Sequence, residues 1–153
     1  MRRALELGTA GEHLVCADLL VAGHRAFMSA AGLPYDVVAE LDGSLLKVAV
    51  KATLEARPRP GRVGSKAVYS FSIMRHATAQ AGKLRYGELD ADLVALVALD
   101  TRQIAYIPLA VCPTMIVLES PGAQRATLFG PKATNRTFAD FTLADALEAL
   151  ARG

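Results

Sequence analysis

The sequence is poor in the residues that mark several common classes of protein. Its 153 residues include no tryptophan, two cysteines and three histidines. Cys16 and Cys112 do not stand at a metal-binding spacing, and we expect two buried free thiols in a reducing cytoplasm, with no disulfide. His13, His24 and His76 also lack partners at metal spacing. We therefore interpret them as structural or surface histidines.

Long apolar runs are absent as well. No run approaches the roughly 20 apolar residues needed to cross a bilayer, so we do not expect a membrane protein. The first residues, MRRALELGTAGEHL, carry further charges soon after two arginines, which is not typical of a signal peptide. The GRVGSK segment at 61–66 lacks the spacing of a phosphate-binding P-loop. Without internal repeats, low-complexity runs or linkers, residues 1–153 are interpreted as one domain.

The apolar residues that are present make up 52% of the chain. This content suits a compact fold and suggests that a second subunit covers some of the apolar surface. The net charge of +2 is unevenly distributed. From Lys51 to Arg85 there are eight basic residues and one acidic residue, a net charge of +7, and the remainder carries −5. The segregation predicts a surface that binds a phosphate backbone. Its candidate DNA-binding residues are Arg57, Arg59, Arg62, Lys66, Arg75, Lys83 and Arg85.

Residues 35–53, YDVVAELDGSLLKVAVKAT, form the stretch around which the chain is organised. Asp42-Gly43 is a strong two-residue turn signal between apolar runs and predicts a β-hairpin. If Leu41 pairs with Ser44, Asp36 opens the first strand directly opposite Ala49. Lys51 then lies two residues further along on the same face. An aspartate and a lysine therefore converge at the end of the hairpin away from its turn.

Other segments indicate a mixture of helices and strands. We predict a first helix over 3–21 that ends at Gly23, and a final helix over 143–151 with Thr142 as its N-cap. The first helix is apolar over much of its circumference, so we expect it to be substantially buried. Strands are predicted at 24–28, 67–73, 91–99, 103–109 and 114–119, with a weaker one at 125–129. The strand at 91–99 is almost wholly apolar and is expected at the sheet centre. Residues 55–66 are expected to form an exposed loop and not a strand, and 78–83 a short helix.

Glu12 is a carboxylate within an apolar stripe of the first helix. Carboxylates rarely occupy such positions without a partner. Glu12 could extend to the rim or pair with an arginine, or it could point at a bound cation. Phosphodiester hydrolysis requires an activated water and neutralised phosphate charge. Mg²⁺ held by carboxylates supplies most of this, and a nearby lysine assists.

Two stretches, GTAGEHLVCADLLVAGHRAF and LPYDVVAELDGSLLKVAVKAT, resemble the N-terminal half of the PD-(D/E)xK nucleases. They are most similar to the small homing endonucleases associated with group I introns, and more loosely to Holliday-junction resolvases. The shared motifs are Gly11-Glu12 in the first helix, Tyr35-Asp36 at a strand start, and a lysine at position 51. The specific resemblance covers residues 8–53.

The resemblance implies a fold, a substrate and a set of site residues. The fold would be α/β, more strictly α+β: a restriction-endonuclease-like mixed β-sheet flanked by helices. The substrate would be DNA and the cofactor Mg²⁺, with Mn²⁺ as a substitute. Glu12 and Asp36 would bind the metal together with the backbone carbonyl of Val50, and Lys51 would be the catalytic lysine. One site per chain cuts one strand, so double-strand cleavage calls for a homodimer or homotetramer.

Ala49 departs from the family pattern. The family has glutamate, aspartate or glutamine there, and alanine offers no side-chain ligand. Three explanations are open: Glu12 and the Val50 carbonyl supply enough ligation, the chain is an inactive descendant, or the residue was altered to trap a complex. An inactive descendant would be a nucleic-acid-binding or assembly module on a nuclease-like fold.

Overall fold

The computed structural model describes residues 2–58, 66–76, 82–119 and 136–153. Two α-helices, α1 (Arg2–Val21) and α2 (Leu143–Arg152), flank the strands. The strands in chain order are β1 (Ala26–Met28), β2 (Val37–Leu41), β3 (Ser44–Thr53), β4 (Arg57–Pro58), β5 (Ala67–Ser72), β6 (Arg75–His76), β7 (Lys83–Leu84), β8 (Leu93–Ala98), β9 (Gln103–Pro108) and β10 (Met115–Glu119). The predicted strand at 125–129 lies outside the described residues.

The main sheet has five strands in the order β1-β2-β3-β8-β9. β3 and β8 run parallel, and the other neighbouring pairs are antiparallel. Every residue of β8 is buried. The strand has a neighbour on each side, and other elements pack on both faces of the sheet above and below it. This confirms the predicted central strand. β9 forms one edge and ends at Pro108, where a missing N–H costs no ladder hydrogen bond.

The β2–β3 hairpin has the predicted register. Leu41 pairs with Ser44 and Val37 with Val48. Asp42 and Gly43 have φ angles of 48° and 81°, the left-handed conformation that a tight type I′ turn requires at both central residues. The turn therefore fixes which residues of the two strands face each other.

Helix α1 packs on one face of this sheet, but over a narrower stripe than expected. It buries Gly11, Val15 and Leu19, whereas Leu5 is 71% exposed and Val21 is 88% exposed. The prediction that most of its circumference is covered is therefore wrong. Gly23 ends the helix as predicted. Its φ is 96°, and the next N–H, that of His24, donates to the carbonyl of Leu19 at 3.0 Å.

The opposite face of the main sheet is covered unevenly. A three-stranded sheet in the order β10-β5-β4 packs over β8 and β9. Its core contains Tyr69, Phe71, Ile116 and Leu118, with Phe138 edge-on to Tyr69 at 5.4 Å between ring centroids. Phe27 on β1 and Leu45 on β3 remain 47% and 62% exposed. Among the described residues, the half of this face at β1 and β2 is thus the more exposed one.

Two smaller predictions need correction. Arg57 and Pro58 lie in the segment expected to be a loop, yet they form β4 because they pair with Val68 and Ala67 of β5. Lys83 was expected at the end of a helix, but it pairs with His76 in the β6–β7 hairpin. Residues 78–81 of that predicted helix lie outside the described residues.

Helix α2 begins as predicted. The Thr142 hydroxyl accepts the N–H of Asp145 at 3.2 Å, the usual N-cap geometry. Ala146 of α2 belongs to the same core as Val15 and Leu19 of α1. The two helices therefore cover one face of the main sheet together. Among the described residues, no helix is long and apolar enough to span a membrane.

Candidate active site

Asp36 is fixed at the end of the hairpin away from the turn. It immediately precedes β2 and does not open it as predicted. Its N–H donates to the Val48 carbonyl at 2.9 Å, although Val48 is already the register partner of Val37. Its Oδ2 accepts the N–H of Val50 at 2.7 Å. This bond directs the carboxylate to the backbone of β3 at Val50. The β2–β3 register ends at Val37 and Val48, so the predicted pairing of Asp36 with Ala49 lies beyond it.

The Val50 carbonyl points to the same side of β3. The N–H and C=O of one strand residue face the same neighbour, and the Val50 N–H faces Asp36. Val48, two residues earlier, also directs its carbonyl to this side. The carbonyl predicted as a ligand is therefore directed towards the Asp36 edge.

Lys51 is half-buried and held by two groups beyond the hairpin. Its Nζ donates to the carbonyl of Met74 at 2.6 Å and lies 5.2 Å from the centroid of the Tyr86 ring. A carbonyl oxygen and an aromatic face both attract a cation. The ammonium is thereby held between the hairpin and the segment that follows β7.

Glu12 is brought to this place by a close approach of α1 to β3. A Cβ at Gly11 would lie 2.6 Å from the Cβ of Ala52, so only glycine allows the helix to lie this close. Burial raises the pKa of the neighbouring Glu12, and the charge of Asp36 raises it further. The two carboxylates are therefore near enough to repel each other.

The site disfavours the charged form of all three groups. Burial raises the pKa of Asp36, although the Val50 N–H and the Lys51 charge both oppose this shift. Burial also lowers the pKa of Lys51. Asp36 opposes that shift, and the like charge of Lys83 adds to it. Such opposed, coupled shifts are typical of functional sites.

Ala49 lies beside these groups and is fully buried. Among the described residues, no group of three or more His, Cys, Asp or Glu side chains could hold a metal. Two carboxylates that repel each other, next to a strand carbonyl, are nevertheless the hard oxygen donors that Mg²⁺ prefers. Mg²⁺ usually keeps several water ligands and needs only one or two carboxylates. The residues present thus fit Mg²⁺ without a side chain from position 49.

Sequence reasoning missed Tyr86 and the Met74 carbonyl. The Tyr86 ring packs against the core beneath β5 and also lies against the Lys51 ammonium. Burial and the charge of Asp36 raise the pKa of Tyr86 to about 12, so its hydroxyl is neutral at physiological pH. Residues 74–88 carry no clear apolar period. The sequence gives no signal that could have placed either group beside Lys51.

The predicted basic residues fall into three groups. The charge of Lys83 contributes to the lowered pKa of Lys51. The charge of Arg75 opposes the rise in the pKa of Tyr86, and Arg75 Nη1 lies 3.0 Å from Asp90 Oδ2. Arg57 contacts Glu55 at 4.0 Å on the exposed β4, and Lys66 and Arg85 are exposed. Arg59 and Arg62 lie outside the described residues. The structure therefore brings part of the basic set to the edge of the site.

Neither protein-family models nor curated proteins give a match to this chain. Among solved structures, the chain is similar to the bacterial homing endonuclease I-Ssp6803I, with a TM-score of 0.64 and 21% sequence identity. That alignment covers 96% of this chain and 93% of the other. A Holliday junction resolvase, Hjc of Archaeoglobus fulgidus, aligns over 74% of this chain and 84% of its own at 17% identity. Its TM-score of 0.43 is too low to bear on the fold. The first similarity shows that this chain shares the fold of that homing endonuclease, and the observed mixed sheet with two helices agrees with the predicted α+β fold.

Proposed function

We propose that this chain is a metal-dependent endonuclease that hydrolyses phosphodiester bonds of DNA. The observation that carries the proposal is the meeting of Asp36, Lys51 and Glu12 at one edge of β3, where each charge is electrostatically coupled to another. The nuclease fold of the similar homing endonuclease supports it. The enzyme would act in the cytoplasm as a homodimer or homotetramer, with each chain cutting one strand.

Each site residue then has a distinct role. Glu12, Asp36 and the Val50 carbonyl would hold Mg²⁺ or Mn²⁺, which when bound supplies an activated water and neutralises phosphate charge. The ammonium of Lys51 would bind a non-bridging oxygen of the scissile phosphate and stabilise the charge that develops there. The Met74 carbonyl and the Tyr86 ring would keep this ammonium in place.

The basic residues would bind the DNA backbone around this site. Lys83 lies on β7 and Arg85 directly follows it, and Arg57 lies on the exposed β4. Arg59, Arg62, Lys66 and Arg75 complete the proposed set. Their charges give affinity without sequence preference, since phosphate contacts position a protein while base contacts specify its target.

Cleavage of supercoiled plasmid in Mg²⁺ or Mn²⁺ tests the proposal. We expect nicked or linear products from the natural chain, and none from Asp36→Ala or Lys51→Ala. Glu148→Gln is the matched control, because Glu148 lies in an exposed ion pair with Arg152 on α2. Failure to cut supercoiled, linear or branched DNA in either metal would refute the assignment.

Ala49 favours a second candidate, a non-catalytic nucleic-acid-binding or assembly module. The side chain is fully buried and carries no oxygen. This candidate predicts salt-dependent DNA binding without a metal requirement, lost when Arg57, Arg59 and Arg62 are neutralised. Hydrolysis that depends on Lys51 would count against it.

A further inference from the structure

A groove of about 310 Å³ opens on the uncovered half of the main sheet. Its walls include Phe27, Leu33, Tyr35, Val38, Leu45 and Lys47. Three of these are large apolar side chains with substantial exposure: Phe27 at 47%, Leu33 at 45% and Leu45 at 62%. Clustered exposed apolar side chains usually mark a binding surface.

The groove lies on the sheet face that carries Lys51. Phe27 pairs with Val38, and Val38 pairs with Lys47, so these three side chains stand side by side across β1, β2 and β3. Lys47, Ala49 and Lys51 alternate along β3 on that face. Two strand residues span about 7 Å, so the groove begins within about 7 Å of Asp36 along β2.

The groove also borders the site through Tyr35, the residue before Asp36. The Tyr35 carbonyl accepts the Ser29 hydroxyl at 2.5 Å, which fastens the loop between β1 and β2 at this point. A molecule bound across Asp36 and Lys51 would therefore meet the groove as its next contact in the direction of Lys47.

Lys47 gives the groove a cation. Its Nζ lies 5.7 Å from the Tyr35 ring centroid and donates to the Leu89 carbonyl at 2.6 Å. An ammonium has three donors, so beside the bond to Leu89 it can donate to an anionic group. The pKa of the nearby Asp90 is lowered by a backbone hydrogen bond and also by the charge of Lys47. Its backbone N–H is fixed as well, since it donates to Asp92 Oδ2 at 2.8 Å.

We propose that this groove is a subsite for one unstacked nucleotide of the DNA strand. Its base would lie against Phe27 and Leu45 and its phosphate near Lys47. Aromatic walls combined with a cation are how proteins bind single-stranded nucleic acid. A lysine in the wall argues against a second protein copy as occupant, because lysine is depleted at the centre of protein interfaces. The subsite rests on the proposed function and refines it, since it predicts a preference for locally unpaired DNA.

The test measures binding in Ca²⁺ in place of Mg²⁺, by fluorescence anisotropy with the full chain. Three labelled duplexes are compared: fully paired, with one unpaired nucleotide, and with one unpaired abasic nucleotide. We expect the unpaired base to tighten binding roughly 5- to 100-fold relative to the abasic form, the range of base–aromatic stacking. Phe27→Ala and Leu45→Ala should each bring the ratio of the two affinities, unpaired base to abasic, towards one. The affinity for the fully paired duplex should stay unchanged.

Val111→Ala serves as control, since Val111 is 72% exposed and belongs neither to the groove nor to β1–β3. Equal affinity for base-bearing and abasic duplexes, or variants that keep the ratio, would overturn the subsite alone. Absence of binding to every duplex would overturn the DNA function together with it. A lower sedimentation coefficient of Phe27→Ala at equal concentration would show that a second copy covers the groove, and would also overturn the subsite.

Discussion

At the scale of single residues, the charged groups of the candidate site lower the free energy of unfolding. Glu12 and Asp36 have a raised pKa and Lys51 a lowered one, so folding disfavours the charged form of each. Binding sites commonly retain such unfavourable charges because a ligand later neutralises them. A bound cation would relieve the carboxylates, and a phosphate would relieve the lysine.

We therefore expect Asp36→Asn to stabilise the chain in EDTA at pH 7, by roughly 0.5–2 kcal/mol. The folded-state pKa of Asp36 lies above its usual value of 3.8, so the folded chain binds the proton more tightly than the unfolded chain. Stability therefore falls as pH rises from 3.8 through the folded-state pKa. Asparagine removes this loss, and its benefit should vanish below pH 3.8.

Urea denaturation at several pH values measures the effect. Asp42→Asn in the hairpin turn is the control, because asparagine also accepts the left-handed conformation found there. Its stability should match the natural chain throughout. Loss of stability in Asp36→Asn at pH 7 would show that the Val50 hydrogen bond requires an ionised partner.

Ala49→Gln tests whether the site lacks only one ligand. Position 49 is fully buried, so the longer side chain should cost about 1–3 kcal/mol in EDTA. If the rest of the site is intact, the added oxygen should enlarge the rise in melting temperature that Mg²⁺ or Mn²⁺ produces. Ala49→Leu adds similar volume without an oxygen. It should therefore show the loss of stability in EDTA without the larger rise in melting temperature on addition of metal. Equal metal responses of the two variants would mean that more than residue 49 has diverged.

The residue-level predictions succeeded where a turn fixed the register. Asp42-Gly43 fixed the pairing of β2 with β3 from Leu41 and Ser44 to Val37 and Val48, and the Asp36 carboxylate then bonds to the N–H of Val50. Tyr86 and Met74 reach Lys51 through tertiary contacts of a stretch without apolar periodicity. No local pattern encodes such contacts, so they could not be predicted from the sequence.

At the scale of elements, the distance between α1 and β3 depends on one glycine. Gly11→Ala would place a Cβ 2.6 Å from that of Ala52, so the helix must move away or tilt. We expect a loss of about 1–3 kcal/mol in stability and a higher metal concentration for half-maximal activity, because Glu12 moves with the helix. Thermal denaturation and a Mg²⁺ titration of plasmid cleavage measure the two effects.

Gly8 provides the matched control on the same helix. A Cβ there meets nothing within 4 Å, so Gly8→Ala should stabilise the helix by roughly 0.5–1 kcal/mol. Adding Ala52→Gly to Gly11→Ala removes the clashing methyl group and should restore the metal response. A double variant that stays as impaired as Gly11→Ala would show that the close approach does not position Glu12.

Most helices and strands could be predicted from apolar runs and from the turn and cap residues between them. The elements that were predicted wrongly have physical causes. β8 could be predicted because a strand buried on both faces is apolar throughout. β4 could not, since Arg57 and Pro58 are exposed and form a strand only through pairing with β5. The burial of α1 was overestimated because helix composition does not reveal how many neighbours cover it.

At the scale of the whole molecule, two features meet on one side. Among the described residues, the face of the main sheet away from α1 is exposed at Phe27 and Leu45, and Lys51 lies on this face towards β5, whereas Glu12 belongs to α1 on the other face. Lys83 and Arg85 lie beyond Lys51, in the segment whose net charge is +7. A DNA strand bound at the site would therefore have the basic segment on one side and the apolar groove on the other.

This arrangement predicts how DNA affinity depends on salt. Each phosphate contact contributes about 0.9 to the slope of log affinity against log salt concentration. If Lys83 and Arg85 each bind one phosphate, the Lys83→Ala/Arg85→Ala double variant should lower the slope by about 1.8. Arg2→Ala/Arg152→Ala removes the same net charge from the two helices, where both arginines pair with glutamates. It should leave the slope unchanged, whereas an equal decrease in both variants would mean that overall charge, and not a defined surface, attracts the DNA.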